Sequence, residues 1–142
     1  MSKRKPAIIV SLITLVIFQG LSGLAGGFGL INDPSGESLK IPIKWLDGSP
    51  FADYLIPGII LFVILGIFPL IISFGLWKRR NWGWLGSIAL GAALIIWIIV
   101  EIIVIGWQTE PPLQLIYGVV GIAIFAISLS PKVKSYYSLN EK

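Results

Sequence analysis

The stretch IIWIIVEIIVIGW, residues 95–107, carries one carboxylate, Glu101, among twelve residues that hold no charge. An acid in such surroundings must be neutralised or hydrogen-bonded, and intramembrane ionisable groups are functional candidates by default. Seven-residue steps place Ser87, Leu94, Glu101 and Gln108 on one helical face, with Trp97 one turn below the acid. The chain has no cysteine and no histidine. That excludes disulfides, thiol chemistry, Cys/His metal sites and histidine-based triads.

The elements that must position Glu101 follow from composition. Of 142 residues, 56% are hydrophobic and 13% charged, about half the charge of a soluble domain. Four apolar runs are each close to the length that crosses a bilayer: about 7–30, 56–77, 84–107 and 113–130. The first follows the basic stretch MSKRKP. It outlasts the roughly 7 to 15 apolar residues of a signal peptide, so an uncleaved span is expected. Pro69 lies inside the second run and should kink it, with neighbours satisfying the freed carbonyl. Glu110, Pro111 and Pro112 open the fourth, and Pro131 closes it. The expected fold is all-α: a single four-helix transmembrane bundle.

Orientation comes from the basic residues. Nine of the eleven (Lys3, Arg4, Lys5, Lys78, Arg79, Arg80, Lys132, Lys134 and Lys142) fall on one side. The other side keeps Lys40 and Lys44 against Asp33, Glu37, Asp47, Asp53 and Glu110. The positive-inside rule puts both termini in the cytoplasm and the loop 31–55 outside. The net charge of +4 is thus a topology signal and not a nucleic-acid groove.

With that threading, Glu101 lies six residues inside Trp107, roughly 9 Å below the outer interface. A carboxylate facing lipid there costs on the order of 2.5 kcal/mol or more, so it should face the other helices. Gln114 and Tyr117 from span four, and Ser22 and Gly23 from span one, reach the same depth, with Gln19 deeper. Glycines at 20, 23, 26, 27 and 29 allow close backbone packing or leave room beside the acid.

The loop begins with Asp33-Pro34-Ser35-Gly36, which has turn chemistry. Leu39, Ile41, Ile43 and Trp45 alternate with Lys40, Pro42 and Lys44, which predicts an extended strip. Ser49 and Pro50 read as a helix start with Asp53 in its opening turn. The loop is a capping connection or, functionally, a lid, with Asp33, Lys40, Lys44 and Asp53 as its polar members.

The combination GLAGGFGLINDPSG and SPFADYLIPGIILFVILG resembles a family of small, uncharacterised bacterial four-span integral membrane proteins. The shared features are Gly26, Gly27, Asp33 to Gly36, Ser49 to Asp53, Ile56 to Gly58, and Trp97 with Glu101. The resemblance implies a bacterial plasma-membrane protein and brings no activity with it.

No catalytic set is visible and no metal site or cofactor is expected; an enzyme is not the expectation. The main expectation is a multi-pass membrane protein in which Glu101 is interhelical glue. Two alternatives remain open. One is a small proton- or cation-coupled transporter. The other is a membrane subunit or binding protein for a lipid or apolar ligand, with Trp97, Glu101, Gln108, Gln114, Tyr117 and Ser22 around the site. The bilayer is the expected partner, with a homodimer or larger membrane complex as further candidates.

Overall fold

The computed structural model describes residues 4–108 and 112–138. Lys3, Glu110, Pro111 and Lys142, which enter the reading of topology and helix starts, lie outside the described residues. Five helices carry the fold: α1 (Ala7–Asn32), α2 (Leu55–Trp77), α3 (Asn81–Ile105), α4 (Leu113–Leu129) and α5 (Pro131–Ser138). The first three are long and apolar enough to cross a membrane, and α4 with α5 makes a fourth span if the pair, bent by 59°, is counted as one. Ile103 is 77% exposed and Phe28 63%, surfaces that lipid tolerates and water does not.

Pro131 does end α4, through extended Ser130, but it also opens α5. This last helix folds back on the start of the α2–α3 turn. The Tyr137 hydroxyl donates to the Leu76 carbonyl at 2.9 Å, and Arg79 Nε donates to the Tyr136 carbonyl at 3.0 Å. Lys5 stands over the Trp77 ring at 4.4 Å. The N-terminal end of α1, the 78–80 turn and α5 therefore gather at one end of the bundle, the basic end; loop 33–54 occupies the other.

Apolar burial gives helices in lipid little reason to associate, so close backbone approach decides which helices pair. Along α1, a methyl on Gly23 would overlap the Leu65 carbonyl, and one on Gly27 would stand 2.6 Å from Phe62 N. That seam draws α2 onto α1. A methyl on Gly91 would stand 2.7 Å from Phe125 N, a second seam that draws α3 onto α4. The two pairs are joined at the basic end, where a methyl on Gly83 would meet Leu76 N at 2.6 Å. The half of α2 that packs against α3 is Phe68–Trp77, while residues 55–67 lean on α1. Toward the loop end the pairs diverge.

The divergence starts at an irregularity in α2. Residues Val63–Ile67 form one wider π-helical turn, with the Phe68 N–H bonded five residues back to Val63 O. Pro69 follows directly. The helix accommodates the proline through this wider turn, a device common where a helix must be re-aimed. Pro69 has no N–H for the Leu65 carbonyl four residues back. Gln19 Nε2 from α1 donates to that carbonyl at 3.1 Å.

The loop is not the extended strip that alternation suggests. It makes two 3-10 turns, Glu37–Leu39 and Ile43–Leu46. Lys40, at φ +58°, breaks any strand between them. The expected turn at Asp33 is present: Gly36 N–H donates to Asp33 O at 3.0 Å, with Gly36 at φ +79°. Tyr54 pins the rest. Its N–H donates to Pro34 O at 2.8 Å and its hydroxyl to Pro42 O at 2.7 Å. Leu30, Leu46 and Tyr54 form a small core of their own. Helix α2 starts at Leu55, five residues after Pro50, and Asp53 Oδ1 accepts the Leu55 N–H at 3.0 Å. Ser49 instead closes a local turn, donating to Leu46 O at 2.7 Å. The cap moved because Tyr54 ties its own backbone into the loop.

Candidate functional site

The cleft between the two helix pairs is a cavity of about 550 Å³. All four long helices line it, and loop residues Leu39, Ile41, Trp45, Leu46 and Phe51 close over it. Leu65 and Leu94 lie at its deep end; Glu101 lies seven residues along α3 from Leu94, a rise of roughly 10 Å. The walls are chiefly aliphatic and aromatic. Among the described residues that line the cavity, Glu101 is the one that carries a charge.

The six residues expected at the site, Glu101 included, all line this space. Trp97 and Glu101 come from α3, Gln108 from the turn after it, Gln114 and Tyr117 from α4, and Ser22 from α1. Four residues apart on one helix, Trp97 and Glu101 are surface neighbours. Trp97 and Gln114 are polar neighbours of the Glu101 carboxyl. Tyr117 stacks on Phe18 of α1, ring centroids 6.1 Å apart.

The two glutamines have a second duty. Gln114, 2% exposed, donates from Nε2 to Gly106 O at 3.0 Å and accepts the Gln108 N–H at Oε1, 2.7 Å. Gln108 Nε2 donates to Ile105 O at 2.7 Å. Helix α3 stops at Gly106, whose φ of +78° suits glycine alone. These amides satisfy carbonyls and an N–H that the helix end leaves without partners. Gln114 thus ties the start of α4 to the end of α3, and Glu101 lines the cavity beside it.

The loop quartet stands apart. Lys40 and Lys44 are exposed, and none of Asp33, Lys40, Lys44 and Asp53 lines the cavity. Asp33 accepts from the Ser35 hydroxyl at 2.6 Å and the Ser38 N–H at 2.9 Å, which holds its carboxyl below the ordinary value. Among the described residues, no three of His, Cys, Asp and Glu come together as a metal site.

Gln19 and Tyr54 also line the cavity and stand outside the expected set. Gln19 is 1% exposed and lines the wall; its Oε1 is the one buried side-chain oxygen or nitrogen without a hydrogen-bond partner among the described residues. Its signal in the sequence is a lone amide in an apolar run, three residues before Ser22. Tyr54 forms part of the roof, and burial, with the Glu101 charge second, pushes its hydroxyl up to about 12. Nothing in the sequence separates Tyr54 from an ordinary interfacial tyrosine.

Fold and site together define a helical membrane-protein architecture with an apolar cavity anchored on one acid. The chain matches no family model, and no curated protein or solved structure is similar to it.

Proposed function

We propose that the chain is a four-span protein of a bacterial plasma membrane, with both termini cytoplasmic, that binds a small apolar ligand beneath its extracytoplasmic loop. Glu101 anchors the ligand. The gathering of Lys5, the 78–80 turn and α5 at one end supports the orientation, since basic groups are retained on the cytoplasmic side.

One observation carries the binding reading: the acid opens onto a cavity of about 550 Å³ rather than being enclosed between helices. Drug-sized and cofactor-sized ligands occupy spaces of roughly 300–1,000 Å³ with mostly apolar walls and a few polar groups. Glue would close the space around Glu101, and that duty falls to Gln114.

The test uses the full chain in nanodiscs and a ten-carbon alcohol carrying a dansyl group at its far end. Trp45 and Trp97 in the cavity walls serve as energy donors. Transfer should saturate above that of empty nanodiscs. Gly26→Phe should abolish it, because a side chain there meets only Leu61 Cδ2, at 3.2 Å, before entering the cavity. Transfer that never saturates, or that survives Gly26→Phe unchanged, defeats the reading.

A further inference from the structure

The polar groups of the cavity are unbalanced. Each of its three glutamine amides already spends one of its two N–H donors. Gln19 Nε2 serves Leu65 O, Gln114 Nε2 serves Gly106 O, Gln108 Nε2 serves Ile105 O, and the Trp97 side chain faces Glu101. The Tyr54 hydroxyl serves Pro42 O. Ser22 and Tyr117 add hydroxyls that act either way.

Acceptors remain. Gln19 Oε1 has no partner, and a carboxylate offers about four lone-pair sites, of which Trp97 and Gln114 engage at most a part. A buried acceptor left without a donor is destabilising, so a ligand that donates is favoured over one that accepts.

Charge narrows the class further. Among the described residues the lining holds Glu101 and no lysine or arginine, so a phosphate, sulfate or carboxylate head would enter with no counter-charge and beside an acid. A cation would supply what the acid lacks. The walls also carry five aromatic side chains, Trp45, Phe51, Tyr54, Trp97 and Tyr117. Aromatic faces attract ammonium groups, more strongly where water is excluded.

We infer that the ligand is an amphiphilic amine bound as its ammonium, the N–H donors on Glu101 and the apolar body between the helix pairs. This deepens the binding reading above and rests on it.

Three probes of equal chain length decide the matter, each with a dansyl group at one end and an ammonium, a hydroxyl or a carboxylate at the other. They are titrated into the full chain in zwitterionic nanodiscs, with empty nanodiscs subtracted. The ammonium should bind at least tenfold more tightly than the alcohol, and the carboxylate should bind most weakly. Glu101→Gln should cut the ammonium-over-alcohol preference to below about threefold, a loss of charge recognition worth about 0.7 kcal/mol or more. If that variant does not fold, the wild-type order of the three probes decides alone. Equal binding of the alcohol or carboxylate, or a preference that persists in Glu101→Gln, overturns the amine assignment and leaves the cavity reading standing. Saturation by none of the three overturns both.

Discussion

The cavity exists because glycines hold the first half of α2 on α1, and Gly27→Ala tests that directly. A methyl at Gly27 would stand 2.6 Å from both Phe62 N and Phe62 Cβ. Reaching ordinary contact at 3.4 Å requires the helices to part by about 0.8 Å, and close-packed backbone has little freedom to yield. Gly118→Ala is the control: its nearest neighbour is Ile98 Cγ2 at 3.8 Å, so it gains helix propensity of about 1 kcal/mol and meets no clash. Both variants carry the same propensity gain. The difference between them is therefore the steric effect alone, about 2–3 kcal/mol, near the top of the overpacking range because the partner is backbone. Unfolding in a mixed-micelle SDS titration, followed by tryptophan fluorescence, measures it. Gly27→Ala should be the less stable of the two by that amount and should weaken dansyl-alcohol binding as α2 moves. If the two variants are equally stable, the seam does not hold the helices and this account of the cavity fails.

Gln114→Leu should destabilise the bundle by about 1–3 kcal/mol, because it strips partners from Gly106 O and the Gln108 N–H; an unchanged SDS midpoint would refute its role as the interhelical tie. Tyr54 gives a pH prediction. Its folded value is raised to about 12 from 10.0, so its contribution is whole below pH 10.0 and is lost as pH rises through about 12. Phenolate absorbance, taken as wild type minus Tyr54→Phe, should titrate near 12 and move down in a Glu101→Gln background. No movement would place Tyr54 beyond the electrostatic reach of Glu101.

Local signals in the chain were enough for the spans. Uninterrupted apolar runs locate α1, α2 and α3 to within three residues at each end, because hydropathy is a property of consecutive residues and lipid is the solvent it selects. The Asp33 turn was legible for a similar reason: Asp, Pro and Gly act on their own backbone. So was the group around Glu101. Helical periodicity sets a face, and antiparallel threading brings Gln114, Tyr117 and Ser22 to its level. The loop interior was not. Alternation at 39–45 suggests a strand, yet Tyr54, more than eight residues on, captures Pro34 O and Pro42 O and turns the segment into 3-10 helix.

What the sequence determined by itself is the all-helical, apolar character of the chain and the position of its long helices, each carried by residues close together in the chain. Only tertiary structure decided whether the space beside Glu101 is packed shut or open. The answer depends on which glycine meets which backbone across helices and on one widened turn before Pro69, and those distances arise between segments far apart in sequence. A small shift in either seam would close the cavity without altering a single apolar run.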